Sequence, residues 1–254
     1  METLFFLLLL EVVGHMVPQL LNGYSMIIVT GASRNIGRYL FSEFKENGES
    51  VIGTYNSTFK GLENDMSIYY KVDVSDYDSV KEWISSIKDQ LKNVILINCA
   101  AISYNAFAHK ADVNQWHKVI NTNLLGTFNV IHELLPIMRE QNYGRIINIS
   151  SVVAQLPTPG VSAYAASKSA LWGLTKSLSA ENGSKGITVN TINLGYVNLG
   201  MGINEVPSAY QEKIKTMIPN GRFCEPIEIY KTIRYIIENE YVNGSALDIN
   251  GGLI

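Results

Sequence analysis

Short apolar runs alternate with segments of helical period along the chain from residue 26 onward. The first run, residues 26–30, ends in a glycine-rich turn, and residues 36–47 then carry apolar side chains at helical spacing as far as Gly48. Further apolar runs predict strands at residues 50–55, 68–72, 94–98, 145–149, 187–193 and 246–249. Helical spacing predicts helices at residues 76–91, 115–139, 162–182 and 226–238.

Buried strands that alternate with helices are typical of an α/β fold. We therefore predict a single Rossmann-type, doubly wound domain over residues 26–254, with a mainly parallel seven-stranded sheet and helices on both faces. Its ligand crevice would lie at the carboxyl ends of the strands. The 254 residues are 46% hydrophobic and 17% charged, which is enough to bury one large core.

Residues 1–25 stand apart from this alternation. The apolar run at residues 4–10 is ended by Glu11 and is too short to span a bilayer. No Lys or Arg precedes Arg34, so the chain lacks the positive start of a signal peptide. We predict an N-terminal extension outside the fold, and the alternative is an apolar arm that packs on a partner or a membrane surface.

Composition excludes several classes of function. The net charge of −3 and the absence of a Lys/Arg cluster argue against a nucleic-acid surface. The two cysteines, Cys99 and Cys224, and four histidines without ligand spacing supply neither a disulfide framework nor a metal site. We expect a metal-free, cytoplasmic protein.

Three polar residues in the second half of the chain suit the reduction of a carbonyl group. Hydride that arrives at a carbonyl carbon leaves negative charge on the oxygen, which needs a proton donor and a hydrogen bond. Tyr164 and Ser151 can supply these. A free phenol has a pKa of about 10 and is a poor acid near neutrality. Lys168, four residues after Tyr164 on the same helix face, brings a positive charge that lowers this pKa.

The Tyr-Lys spacing alone is a weak signal, because the chain repeats it at Tyr77 and Lys81. That second pair lies in a charged amphipathic segment, with Asn64 rather than a serine 13 residues upstream. Tyr164 instead follows a Ser-Ser pair that ends an apolar run. We therefore predict a catalytic pair at Tyr164 and a solvated helix face at Tyr77.

The turn after the first strand has the context of a nucleotide site, since it opens a helix whose amides and dipole suit a pyrophosphate. Asn35 occupies a place where a third glycine could be expected, and Asn adopts positive φ at modest cost. The residues predicted to bind the cofactor in this turn are Gly31, Ser33, Arg34, Asn35, Ile36 and Gly37.

The end of the second predicted strand bears on the choice of cofactor. Residues 53–57, which include Asn56, contain no Asp or Glu to bind a ribose 2'-hydroxyl. Arg34 could instead pair with a 2'-phosphate, so NADP(H) is favoured over NAD(H). The alternative is that Arg34 is a solvated loop cation.

Together these motifs resemble the short-chain dehydrogenase/reductase family, especially its 3-oxoacyl-(acyl carrier protein) reductase-like members, from Met26 to the end of the chain. The resemblance implies Tyr164 as the acid/base and Ser151 as the group that orients the substrate carbonyl. It implies that Lys168 also holds the nicotinamide ribose and that Asn123 anchors a proton-relay water. A homo-oligomer, either a dimer or a tetramer, is implied as well. The further cofactor-binding residues it implies are Asp73, Val74, Asn98, Ala100, Gly195 and Val197.

Some positions depart from that family's pattern. Leu194 replaces a proline, and Leu199 stands where many members have a threonine near the nicotinamide carboxamide. That hydrogen bond would be lost or taken over by Asn198. The segment from Tyr196 to about residue 219 would form a substrate lid. The candidate substrate-pocket residues are Ser151, Val153, Gln155, Tyr196 and Met201.

We predict an NADP(H)-dependent oxidoreductase that interconverts a carbonyl and a secondary alcohol of a small molecule. A 3-oxoacyl-(acyl carrier protein) reductase is the first alternative. Residues 141–143 are neutral, which leaves Arg145 and Lys185 as the basic residues that could dock an acidic carrier. The second alternative is a non-catalytic nucleotide-binding or scaffold protein, although a pure binder needs no acid/base pair.

Overall fold

The computed structural model describes residues 25–57, 67–200, 203 and 208–254. All but Ser25 of the predicted N-terminal extension lies outside the described residues, and so does Met201.

The strands of the described residues form one sheet. Their bounds are β1 Met26–Thr30, β2 Ser50–Tyr55, β3 Tyr69–Lys71, β4 Ile95–Asn98, β5 Gly144–Ser151, β6 Ile187–Leu194 and β7 Ala246–Ile249. The sheet has seven strands in the order β3-β2-β1-β4-β5-β6-β7, and each neighbouring pair is parallel. Successive strands are added on one side of β1 up to β3 and on its other side from β4 onward. This switch in strand order between β1 and β4 is where a doubly wound sheet opens a crevice. The predicted doubly wound, parallel fold is confirmed.

Helices cover both faces of this sheet. Their bounds are α1 Asn35–Glu46, α2 Tyr77–Ile87, α3 Val113–Ile120, α4 Gly126–Gln141, α5 Ser162–Asn182, α6 Ser208–Met217 and α7 Pro226–Glu238. One face packs on α1 and α7, around the buried Phe41 and Ile233. The other packs on α2, α4 and α5, around the buried Trp83 and Leu134. In the parts of the chain that the structure describes, no helix combines the length and the apolar character needed to cross a bilayer.

The single helix predicted at residues 115–139 is interrupted. α3 ends at Ile120, a wider π-helical turn follows at Asn121–Leu125, and α4 begins at Gly126. The wider turn directs the buried side chain of Asn123 to the backbone of Ile102, which it contacts through both a donor and an acceptor. Residues 113–141 are thus helical, in agreement with the predicted helix. The wider turn within them could not be predicted from helical periodicity, because it goes with a contact between residues 21 positions apart.

Candidate active site

A cleft of about 730 Å³ opens at the carboxyl ends of the strands. This volume lies within the roughly 300 to 1,000 Å³ that is usual for small-molecule sites. Residues that directly follow β1, β2, β3, β4, β5 and β6 all contribute to its lining. The cleft therefore occupies the edge at which a doubly wound sheet binds its ligand.

The glycine-rich turn at one end of the cleft is fixed to both neighbouring strands. Gly31 donates through its amide to Thr54 Oγ1 at 3.2 Å, and Thr30 Oγ1 accepts from the amides of Cys99 and Ala100 at 3.1 Å. A Cβ at Gly31, whose φ is +65°, would lie 2.8 Å from the Cα of Ala100. Only glycine fits such a position. The turn thus keeps its backbone amides close to the cleft at the start of α1, as a pyrophosphate would require.

Polar groups gather next to this turn, beyond the ends of β2 and β3. Asp73 accepts hydrogen bonds from the amide and the hydroxyl of Ser75, at 2.9 and 2.6 Å, and another from Asn56. Burial alone would raise the pKa of Asp73, but these hydrogen bonds and the Lys118 ammonium outweigh it and lower the pKa. Lys118 lines the cleft and was missed from the sequence, because nothing in α3 distinguishes it from an ordinary surface lysine.

The opposite wall of the cleft is formed by β5 and the first turns of α5. Ser151 ends β5, while Tyr164 and Lys168 lie one turn apart on α5, and all three line the cleft. Hydrogen bonds hold α5 against β5: Ser150 Oγ donates to the carbonyl of Lys168 at 2.9 Å, and Asn148 donates to Thr175 Oγ1 at 3.0 Å. The structure therefore brings together the three residues that the sequence selected for carbonyl chemistry.

Lys168 is 3% exposed and follows Tyr164 by one turn of α5. Its ammonium donates to the carbonyl oxygen of Ile149 at 2.6 Å and is 5.6 Å from the centre of the Tyr164 ring. Burial lowers the pKa of Lys168 to about 8. The side chain is therefore still mostly protonated at neutral pH, and its charge faces the phenol ring.

The hydroxyl of Ser151 is oriented by the short 3₁₀ turn Val152–Ala154 that follows it. Ser151 Oγ accepts from the amide of Val153 at 3.4 Å. The 3₁₀ turn is itself bonded to α5, since Ser169 Oγ donates to the carbonyl of Ala154 at 3.1 Å. With its oxygen accepting from the backbone, the serine hydroxyl can direct its own proton into the cleft.

Two predicted site residues lie behind the cleft surface rather than on it. Asn123 is 1% exposed, and its side chain bonds the amide and carbonyl of Ile102 at 2.9 Å and Ser167 Oγ at 3.1 Å. Both of its amide hydrogens are thus used within the protein, so the side chain has no donor left for a relay water, and its backbone carbonyl accepts from Thr127 Oγ1 at 2.8 Å. Asn98, 4% exposed, donates to Asn148 at 2.9 Å and so joins β4 to β5.

The segment after β6 forms the remaining wall. Gly195, Tyr196, Val197 and Leu199 line the cleft. Asn198 does not, because its side chain donates to Glu225 Oε1 at 3.1 Å and its amide to the carbonyl of Cys224 at 2.8 Å. The geometry therefore gives no support to Asn198 as a replacement for the missing threonine.

Gln155 is directed away from the cleft. Its amide donates to Asp248 Oδ1 on β7 at 2.7 Å, and the same oxygen accepts from Asn193 at 2.8 Å. It is not among the described lining residues, in contrast to the expectation for the substrate pocket. In contrast to Gln155, the following predicted site residues line the cleft: Gly31, Ser33, Arg34, Asn35, Ile36, Gly37, Asn56, Asp73, Val74, Ala100, Ser151, Val153, Tyr164, Lys168, Gly195, Tyr196 and Val197.

Comparison with known proteins agrees with this arrangement. Residues 25–208 match the model of the short chain dehydrogenase family. The chain belongs to this family. Acetoacetyl-CoA reductases of Shinella zoogloeoides and Rhizobium meliloti are 37% and 38% identical to it over 233 residues, which cover 89% of this chain and 96% of each relative. A 3-oxoacyl-(acyl-carrier-protein) reductase FabG of Staphylococcus aureus is 33% identical over 241 residues, with the same coverage.

Membership of the short chain dehydrogenase family makes the chain an oxidoreductase that acts on carbonyl or hydroxyl groups with a nicotinamide cofactor. The residues at the cleft fit such a cofactor. The glycines of the turn leave room where any Cβ would collide with backbone, as at Gly37, where it would lie 2.4 Å from the carbonyl oxygen of Gly31. The helix start beside them favours the charge of a pyrophosphate.

Proposed function

We propose that this chain is an NADPH-dependent reductase that converts the 3-oxo group of an acyl thioester into a secondary alcohol. The observation that carries the proposal is the meeting of Ser151, Tyr164 and Lys168 on one wall of the cleft, with the glycine-rich turn at its end. A pure nucleotide-binding protein would need the turn but not the three polar residues.

The proposed roles follow from the positions of the three side chains. When bound, the nicotinamide nucleotide supplies the hydride. Tyr164 donates its phenolic proton to the substrate oxygen, and the Ser151 hydroxyl, whose oxygen already accepts from Val153, donates a hydrogen bond to the same oxygen. Lys168 then stabilises the phenolate, because its ammonium lies 5.6 Å from the ring centre in a water-poor site.

We infer that the residues at the adenosine end favour a 2'-phosphate. Arg34, Asn56 and Ser57 line this part of the cleft, and no acid follows β2 before the end of the described segment at residue 57. Asp73, the acid in this part of the lining, is already engaged with Ser75 and Asn56. Arg34 can therefore pair with a 2'-phosphate, and no carboxylate at the end of β2 would repel that phosphate.

The cofactor preference predicts a selective effect of Arg34→Ala. A charge-assisted bond to phosphate is worth roughly 1.5 to 3 kcal/mol, so the affinity for NADPH should fall about tenfold or more and that for NADH should change little. Titration of cofactor fluorescence measures both. Arg38→Ala is the control, since Arg38 is an exposed cation one turn further along α1 and does not line the cleft. Equal losses for NADPH and NADH would contradict the assignment.

The choice of a thioester rests on the charge of the cleft and on the names of the relatives. Among the described lining residues the charged side chains are Arg34, Asp73, Lys118 and Lys168, none of which follows β5 or β6 directly. Lys168, the charged residue on the wall with Val153, is buried and donates to the Ile149 carbonyl, so the described lining offers no exposed cation to a free carboxylate beside Val153 and Tyr196. A neutral thioester suits it better, as does the similarity to acetoacetyl-CoA and 3-oxoacyl-(acyl-carrier-protein) reductases.

Two basic residues considered for carrier docking from the sequence lie elsewhere. Arg145 is at the amino end of β5, about 20 Å from Ser151 along an extended strand. It is 2% exposed and bonds Glu240 at 2.7 Å and the carbonyls of Ile237, Gly144 and Gly186. Lys185 precedes β6 at the same end of the sheet. Neither residue can dock a carrier at the cleft, so we favour coenzyme A as the thiol.

A panel of three substrates that share the acetoacetyl group tests this proposal. With NADPH we expect the highest kcat/KM for acetoacetyl-CoA, a lower value for the acetoacetyl carrier protein and the lowest for free acetoacetate. The loss of nicotinamide absorbance measures each rate. A preference for the carrier protein would favour the second candidate, a 3-oxoacyl-(acyl carrier protein) reductase. Turnover of none of the three, with cofactor bound, would refute the thioester assignment.

A further inference from the structure

Asn35 is an unusual first residue for α1. It has a φ of +51°, in the region that glycine adopts most easily, yet it carries a side chain. The residue lines the cleft at the start of the helix. Glycine would adopt the backbone conformation of this turn at lower cost, so a role for Asn35 must lie in the contacts of its side chain.

The Asn35 side chain lies against Gly200, in the segment that follows β6. A Cβ built on Gly200 would be 2.7 Å from Cγ, 2.8 Å from Cβ and 3.1 Å from Nδ2 of Asn35. Gly200 itself has a φ of +64°. The two residues therefore form a matched pair, in which the side chain of one occupies the space that the other leaves by having none.

Both sides of this contact are fixed to the rest of the fold. The turn that carries Asn35 is bonded to Thr54 and packed on Ala100. The segment before Gly200 is bonded to residue 224, since the amide of Asn198 donates to the Cys224 carbonyl and the amide of Cys224 donates to the Tyr196 carbonyl, both at 2.8 Å. The contact thus joins two anchored walls of the cleft.

We propose that Asn35 is a cofactor-positioning residue, whose contact with Gly200 joins the wall after β1 to the wall after β6 and so slows the release of a whole dinucleotide. The inference rests on the cofactor site proposed above. A dinucleotide must touch both walls, because the turn receives its pyrophosphate while residues 195–197 and 199 line the same cleft as Tyr164. A mononucleotide that occupies only the turn side is indifferent to the contact.

The first test replaces Asn35 by glycine, which keeps the backbone conformation without strain. Displacement of bound cofactor, followed by stopped-flow fluorescence, should show release of NADPH and of NADH accelerated about fivefold to twentyfold. The affinity for adenosine 2',5'-bisphosphate should stay within about twofold of the parent value, and the melting temperature should not fall. Unchanged release rates, or an equal loss for the mononucleotide, would refute the proposal.

The second test is a double-mutant cycle with Gly200→Ala. Alone, the added methyl group must displace the Asn35 side chain and should accelerate cofactor release about as much as Asn35→Gly does. In the Asn35→Gly background the collision no longer exists and only the backbone strain of alanine at a φ of +64° remains, so Gly200→Ala should accelerate cofactor release less there than in the parent protein. Multiplication of the two single effects would show that the residues act independently and would overturn the inference. A parent protein that binds neither nicotinamide nucleotide would instead refute the cofactor site itself.

Discussion

Tyr164→Phe should lower kcat by about 100-fold to 10,000-fold while the affinity for NADPH stays nearly unchanged. The substitution keeps the ring, which lies 5.6 Å from the Lys168 ammonium, and removes only the hydroxyl that donates the proton. The measurement is steady-state turnover on a substrate identified in the acetoacetyl panel, together with cofactor titration. Circular dichroism should show the variant folded, since the change fills the same space.

The chain contains its own matched control for this experiment. Tyr77 is also followed by a lysine after four residues, but it is exposed on α2 and its hydroxyl donates to Glu133. Tyr77→Phe should therefore leave turnover within about twofold of the parent value. If Tyr164→Phe retained near-normal turnover, the proton would have another source and the proposed acid/base role of Tyr164 would be wrong.

Much of the fold was predictable because its strands are short, apolar and bounded by turn residues. The strands Met26–Thr30, Ser50–Tyr55 and Ala246–Ile249 and the helix Pro226–Glu238 have the predicted limits. Each is bordered by glycine, proline or polar residues whose local preference agrees with the tertiary structure. The edge strand β3, Tyr69–Lys71, is shorter than the predicted residues 68–72, because only these three residues pair with β2.

The parts of the site that the sequence did not reveal depend on contacts between distant residues. Gln155 follows Ser151 closely and was expected in the pocket, but its partner Asp248 is 93 positions away on β7. Lys118 enters the cleft only because α3 ends near Asp73. Neither contact leaves a periodic or local signal in the chain. The proximity of Tyr164 and Lys168, which we propose to be catalytic, was predictable for the opposite reason, since helical spacing places both on one face.

Lys168→Met should abolish most turnover and yet make the cofactor-free protein more stable. The ammonium is proposed both to stabilise the phenolate and to hold the nicotinamide ribose, so kcat and cofactor affinity should fall together, and residual activity should require a higher pH. The same ammonium is costly in the folded protein, because it is almost fully buried and donates to a neutral carbonyl, that of Ile149, instead of a carboxylate.

The pH dependence of stability separates this cost from a change in packing. The pKa of Lys168 is about 8 in the folded protein and 10.5 in its unperturbed state, so between these values the unfolded chain binds more protons. The cost is therefore fully present below pH 8 and disappears as the pH rises to about 10.5. At pH 7 we expect Lys168→Met to raise the free energy of unfolding by about 1 to 2 kcal/mol, or Tm by a few degrees, after the lost hydrogen bond to Ile149 is subtracted.

This gain should shrink and then change sign between pH 8 and 10.5, because the cost of the charge disappears while the loss of the hydrogen bond to Ile149 remains. Differential scanning calorimetry without cofactor measures the change. Lys176→Met is the matched control, since Lys176 is an exposed lysine two turns further along α5. It should change neither turnover nor the pH dependence of stability. A Lys168→Met protein that is less stable than the parent at every pH would show that the ammonium is held by favourable interactions. In that case the buried charge would be a structural element of the fold, and the proposed conflict between stability and catalysis at Lys168 would be wrong.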